Sequence, residues 1–167
     1  MTAQSQLEAY LGEFRKRLTG LIDDILAVGK IEAGQLAPRF VTTSLAELLN
    51  EQLISFKPLA VVENKQLNLD CPSDLTAELD PALMGRVIEN LVGNAFKYTQ
   101  RDGMIHISAQ VENGCVRLSV RDDGDGIPDE YKQHIFEKFI QAPNTNGQAV
   151  RKGIGLGLAF CNLVVQA

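Results

Sequence analysis

Apolar residues recur every seven positions at the start of the chain, at Leu7, Phe14, Leu21 and Val28, with Leu11, Leu18 and Ile25 interleaved. This a/d alternation predicts one helix over residues 5–33 whose apolar stripe is a bundle seam. Gly34 supplies a stop and Pro38 follows. One seam helix cannot bury its own stripe. A partner helix is expected from another chain or from sequence absent here; packing on its own domain is the alternative. Phe40-Val41 is a short strand candidate. Ser44 is an N-cap with Glu47 three residues on, and opens a helix to about Val62 on Leu45, Leu48, Leu49, Leu53 and Phe56. Pro58 in its later part predicts a kink or an earlier end. Lys65 to Asp70 alternates as a strand does, Cys71-Pro72-Ser73-Asp74 turns the chain, and Leu75 to Leu79 is a further short strand.

Asp80-Pro81 starts a helix, with Asp at the cap and Pro at the first position, that runs to about Tyr98. Met104–Val111 and Cys115–Arg121 are alternating strands joined by Asn113-Gly114, a hairpin signal. Pro128 to Ile135 reads as a short helix and residues 140–152 as a polar, mobile loop. Gly153 to Gly157 leads into a last helix, Leu158 to about Val165.

Composition changes this picture little. At 45% hydrophobic and 22% charged, the chain sits in the ordinary range for a soluble globular domain with a small appendage. It has no apolar run of spanning length and no secretory leader pattern. A net charge of −5 argues against general nucleic-acid binding, so a polyphosphate ligand would need a local cationic cluster. Cys71, Cys115 and Cys161 are odd in number and far apart, and read as buried free thiols. Neither they nor His106 and His134 have zinc spacing.

Three blocks carry chemistry. Asn90, Asn94 and Lys97 fall at i, i+4 and i+7 on one helix face. Alone this could be a solvated stripe, but Asn is a poor helix former to spend on one. Asn amide oxygens are hard neutral ligands suited to Mg²⁺ held against phosphates, and Lys97 supplies a point charge for those phosphates. In Asp122-Asp123-Gly124-Asp125-Gly126, Gly124 and Gly126 allow positive φ and close backbone approach. Asp122 can only accept hydrogen bonds, which selects an exocyclic amine and so adenine over guanine. Asp123 and Asp125 are expected to face solvent. Gly153, Gly155 and Gly157 open a helix N-terminus, exposing N–H groups to phosphate oxygens. This is neither a Walker A loop nor a dinucleotide fingerprint. Lys138, Arg151 and Lys152 are the nearby cations.

Together the blocks resemble the catalytic ATP-binding domain of sensor histidine kinases, in the GHKL ATPase superfamily. Asn90 through Tyr98 is similar to the family's N box and Asp122 through Ile127 to its G1 box. Ile135-Phe136-Glu137-Lys138-Phe139 is similar to the F box, and Gly153-Ile154-Gly155-Leu156-Gly157-Leu158 to the G2 box. Leu21 to Gly34 resembles the end of the second helix of the dimerisation and phosphoacceptor hairpin. The resemblance covers nearly the whole chain. It implies residues 1–36 as part of that hairpin and 37–167 as the catalytic domain, an α+β fold with a two-layer sandwich of mixed sheet backed by helices. It implies ATP and Mg²⁺ as cofactors, with Asn94 and Asn90 on the metal, Asn90 and Lys97 catalytic, and Asp122 on the adenine amine. Lys97, Tyr98, Lys138, Arg151 and Lys152 would contact phosphate or ribose, with Gly124, Gly126, Ile127, Phe139, Gly153, Gly155, Leu156 and Gly157 building the site. It further implies a protein-histidine kinase of a two-component system, a response-regulator receiver domain as partner, and a homodimer through helix 5–33. The location implied is cytoplasmic, with membrane anchoring of the parent sensor left open.

Where hydrolysing superfamily members carry a general-base Glu, this chain has Asn90; Glu89 is turned about 100° around the helix. Weak hydrolysis is therefore expected. Two features depart from the family. No phosphoacceptor His followed by an acidic residue is present, and the two strands expected after the G2 helix are missing, so the chain is expected to be cut at both ends and not to phosphorylate itself alone. The rival reading is a degenerate nucleotide-sensing module that binds a partner through the seam helix. An ATP-hydrolysing relative or an anti-sigma Ser/Thr kinase is disfavoured by that helix and by Asn90.

Overall fold

The computed structural model describes residues 37–142 and 154–167, together with residues 20, 22, 25, 26, 28–31 and 33–35. The expected helix before residue 20 and most of the expected loop, 143–152, lie outside the described residues, as does Gly153. The described residues among 20–31 are helical. That helix ends as its sequence predicts. Gly34 takes φ +63°, Gly34 N–H donates to Ile31 O at 3.0 Å and Gln35 N–H to Lys30 O at 2.9 Å. Those paired bonds are a Schellman stop. The seam splits in two: Val28 is buried with Val87, Phe160 and Cys161, whereas Ile22, Ile25 and Leu26 are exposed. Own-domain packing therefore accounts for Val28 but leaves those three uncovered.

β1 (Val41–Ser44) pairs antiparallel with β3 (Thr76–Leu79). Ser44 caps α1 (Leu45–Leu53) by accepting from Glu47 N–H at 3.3 Å. The single helix expected to reach Val62 is instead two. α1 tightens out of its last turn through i→i−3 bonds at Ile54 and Phe56, and α2 (Lys57–Glu63) begins with Pro58 in its first turn. There the missing proline N–H is an orphan position anyway, so Pro58 opens a helix and does not kink one.

β2 (Gln66–Asp70) lies parallel to β4 (Met104–Glu112), which pairs antiparallel with β5 (Cys115–Asp122), giving the order β2-β4-β5. The hairpin closes at Asn113, φ 53°, and Gly114, φ +80°. Two left-handed central residues match the right-handed twist of the strands. Among the described residues β5 has no second neighbour. α3 (Pro81–Tyr98) and α1 cover the sheet, burying Leu45, Leu49, Ile88, Val92, Ile105 and Ile107 almost completely. α4 (Gly157–Gln166) packs on α3 through Phe160 and Cys161, with the Arg86 guanidinium 4.5 Å from the Phe160 ring centre. This is the expected mixed sheet backed by helices.

Two expectations fail locally. The helix over 128–135 shrinks to one 3₁₀ turn, Asp129–Tyr131, followed by turns. A run this short costs more to nucleate than it returns in hydrogen bonds, and it buries no residue. Of the three cysteines only Cys161 is buried; Cys71 is half-buried and Cys115 exposed, and none is in a disulfide. Burial, and then the Asp70 charge, push the Cys71 thiol up.

Candidate functional site

The site is built on α3. Asp80 opens that helix by accepting from Ala82 and Leu83 N–H, both at 3.0 Å. Its second oxygen accepts from Arg39 N–H at 2.9 Å, which ties the incoming linker to the helix start. Partial burial pushes the Asp80 carboxyl up, but the N–H groups of Arg39, Leu83 and Ala82, with the Arg39 charge, outweigh it and hold the group below its ordinary value. Along α3 one face enters the core with Ile88, Val92, Ala95 and Phe96. Asn90, Asn94 and Lys97 instead face a cavity of about 390 Å³. Glu89 is exposed and not among the residues that line it, as its place on the helix requires.

The bend after β5 forms the opposite wall with Asp122, Asp125, Gly126 and Ile127. Asp122 Oδ1 accepts from Gly124 N–H at 2.9 Å, which closes the bend on its own carboxylate. Gly124 is demanded by space rather than by φ: a Cβ there would sit 2.5 Å from Tyr98 O. The bend is thus seated directly on the end of α3. Gly126 is the residue that takes positive φ, +73°. Asp122 is exposed at the cavity wall rather than buried. Asp123 does not simply face solvent. Its Oδ1 accepts from Met104 N–H at 2.9 Å, and its own N–H donates to Met104 O at 3.3 Å, extending the β4–β5 ladder by a step. Asp125 is exposed, as expected, and lines the cavity as well.

The third wall is Ile154 to Leu158, at the opening of α4. Gly157 lets that helix end approach α3: a Cβ there would lie 2.9 Å from Asn90 Oδ1. Gly155 takes φ +78° and its carbonyl accepts from Phe139 N–H at 2.9 Å. Phe139 is itself left-handed, φ +65°, and exposed, a strained state for an aromatic residue. The segment ending at Phe139 and the glycine loop are therefore joined backbone to backbone.

Of the expected site residues, Asn90, Asn94, Lys97, Tyr98, Asp122, Gly126, Ile127, Gly155, Leu156 and Gly157 line this one cavity. Gly124, Lys138 and Phe139 do not line it; Gly124 and Phe139 act on its shape. Arg151, Lys152 and Gly153 lie outside the described residues. Lys97 Nζ donates to Tyr98 Oη at 2.7 Å and lies 4.5 Å from the Tyr98 ring centre. The lining residues that the motifs did not single out are mainly apolar, including Leu91, Ala95, Val120, Ile135 and Ile140. They give flat walls suited to an aromatic base. The inward alternation of β5 was the available signal for Val120. His106 sits within β4 opposite Asn68 and Arg121, and His134 is exposed with Nδ1 2.6 Å from Glu137 Oε1; neither belongs to the site.

Among the described residues no group of three His, Cys, Asp or Glu could hold a metal. The oxygen donors on the α3 wall are the neutral amides of Asn90 and Asn94. That set fits a cation held chiefly by a ligand's phosphates and by water, the habit of Mg²⁺.

Residues 79–167 match the family described as "Histidine kinase-, DNA gyrase B-, and HSP90-like ATPase", and the chain belongs to that family. Proteins to which it is similar include sensor kinases. The chain is similar to the alginate biosynthesis sensor protein KinB of Pseudomonas aeruginosa, 30% identical over 98% of this chain and 27% of that protein. It is similar to the catalytic domain of histidine kinase ThkA, 31% identical with TM-score 0.66, over 77% of this chain and 80% of that one. ThkA in complex with response regulator protein TrrA also matches, with TM-score 0.64 and 26% identity over 84% of this chain and 42% of that one. Full-length ShkA in complex with AMPPNP gives TM-score 0.80 at 26% identity, over 99% of this chain and 34% of that one. The chain spans only about a quarter of KinB's length. Among the described residues no helix is long and apolar enough to cross a membrane.

Proposed function

We propose that this chain is the Mg-ATP-binding catalytic portion of a two-component sensor histidine kinase. The observation that carries the reading is that Asn90, Asn94 and Lys97 face Asp122 and the Gly155–Gly157 loop across one cavity with apolar walls. Residues 37–167 form the catalytic domain and 1–36 part of a dimerising hairpin. Asp122 accepts from the adenine amine, and the base lies against Val120, Ile127 and Ile135. Asn94 and Asn90 hold Mg²⁺, which supplies charge neutralisation on the phosphates. Lys97, Tyr98, Lys138, Arg151 and Lys152 contact phosphate or ribose.

In the transfer the bond from the terminal phosphorus to the ADP oxygen breaks as a bond to an imidazole nitrogen forms. The protein's share is positioning and electrostatic stabilisation of charge on the transferred group. Asn90, where a carboxylate would activate water, disfavours hydrolysis and leaves the phosphoryl group for a protein nucleophile. The accepting His is on a hairpin helix outside this chain, and the phosphoryl group then passes to a response-regulator receiver domain, a partner of the kind solved with ThkA. The parent sensor dimerises through helix 5–33 and presents this portion to the cytoplasm.

Calorimetry with Mg-ATP on the parent and on Asp122→Asn tests the site. The parent binds and Asp122→Asn binds at least tenfold more weakly, because an amide N–H₂ can turn toward the adenine amine and repel it. If the parent does not bind, the degenerate-module reading replaces this one.

A further inference from the structure

Lys65 lies outside every motif of the site, yet its side chain is only 4% exposed. A buried ammonium is costly unless paired and hydrogen-bonded. Lys65 has both: Nζ is 2.5 Å from Glu63 Oε2 and donates to the carbonyl of Phe96 at 2.6 Å. It also lies 5.4 Å from the Phe96 ring centre. Its backbone is fixed independently. Asn64 takes φ 52°, Asn64 N–H donates to Val61 O and Lys65 N–H to Ala60 O at 2.8 Å. That is a Schellman stop on α2, and it aims the lysine at the end of α3.

The Phe96 carbonyl is one of the last four of α3, which the helix itself leaves without a donor. Beyond it the last turn closes with Thr99 N–H to Ala95 O at 2.9 Å. A cation there also favours the negative end of the helix dipole. The two residues after Phe96 are Lys97 and Tyr98, both on the cavity, and Tyr98 O is the atom on which Gly124 rests. One turn of backbone thus carries the site's lysine and tyrosine, whereas the Asp122 bend that rests on it is held besides by Asp123 against Met104 and by Asp122 on Gly124 N–H, so the base wall stays in place when the turn loosens. Lys65 grips that turn on its core side.

We propose that Lys65 is a positioning residue of the nucleotide site, fixing the last turn of α3 so that Lys97 and Tyr98 meet the phosphates. This rests on the Mg-ATP reading above. A lysine present only for stability would leave the site's preference between phosphate and base untouched, whereas a positioning lysine would not.

The test uses the whole chain, well below its melting temperature. Mg-ATP and adenosine affinities are measured for the parent, Lys65→Met and Lys65→Arg. Lys65→Met keeps the stem and removes the charged donor. It weakens Mg-ATP about tenfold, the scale of one charge-assisted hydrogen bond, while adenosine changes less than about twofold. Lys65→Arg restores Mg-ATP to within about threefold of the parent. Lys65→Met that binds Mg-ATP as the parent does, or that loses both ligands equally, overturns the role. If Lys65→Met does not fold, Lys65→Gln replaces it with the same outcomes. A parent that binds neither ligand sinks the nucleotide reading and this role with it; a parent that binds beside an unaffected variant sinks this role alone.

Discussion

Replacing Asp80 by Ala removes the acceptor for three backbone N–H groups at once: Ala82 and Leu83 in the first turn of α3, and Arg39 in the linker. Loss of an N-cap of this kind costs about 1 kcal/mol, and the third hydrogen bond contributes about 1 kcal/mol more. Asp80 is only half-buried, so its charge on the helix dipole is screened and adds little beyond this. The sum is about 2 kcal/mol, which at this chain length lowers Tm by roughly 4–8 °C. Asp80→Asn keeps an acceptor and should lose less. The folded carboxyl sits below its ordinary value, so its contribution is complete above the unfolded pKa of about 3.9 and disappears as pH falls through the lower folded value. The gap between parent and Asp80→Asn, present at pH 7, therefore closes below about pH 4. Thermal melts followed by circular dichroism across that range measure both effects. An Asp80→Ala melt within about 1 °C of the parent at pH 7, a shift too small for even half a kcal/mol, refutes the reasoning.

Two further outcomes follow from local geometry. Gly155→Ala asks an L-residue to hold φ +78° with its Cβ 2.7–2.9 Å from the backbone of Phe139 and Ile140. The conformation alone costs about 1–2 kcal/mol and that backbone cannot yield, so the Phe139–Gly155 bond should break. Hydrogen exchange at the Phe139 amide rises at least tenfold, whereas Gly114→Ala, with open space around it, leaves that amide unchanged. Among the described residues Thr99 Oγ1 is buried without a hydrogen-bond partner, so Thr99→Val, nearly the same shape, is neutral or stabilises by up to about 1 kcal/mol in a denaturant titration.

Signals that act within one or two turns were legible in the sequence. Asp80-Pro81, Asn113-Gly114, Gly34 and Ser44 each set their own element end because the deciding hydrogen bond is local. The stripe of Asn90, Asn94 and Lys97 was legible because helical periodicity alone puts the three on one face. What sequence reading missed was decided by contacts distant along the chain. Asp123 is exposed as expected, but its bond to Met104 is not legible because that partner is 19 residues away. Lys65 reads in the sequence only as the first residue of a strand, because its partner carbonyl is 31 residues away. Pro58 was ambiguous because a proline both ends one helix and opens another, and only the turn at Ile54–Phe56 chooses. The left-handed Phe139 carries no sequence signal, since the strain is held by Gly155 across the loop.

The bond from Arg39 to Asp80 also sets a length. The helix stops at Gly34 and the chain is pinned again at Arg39, five residue steps and at most about 17 Å of reach. With that pin released, the next fixed point is Val41 in β1, seven steps from Gly34 and about 24 Å. Once Val28 has left its seat against Val87 and Phe160, a sphere of that radius has roughly three times the volume, so a group on the helix would visit the cavity at about a third of its tethered local concentration. One carboxylate thus governs how short a leash joins the seam helix to the catalytic domain.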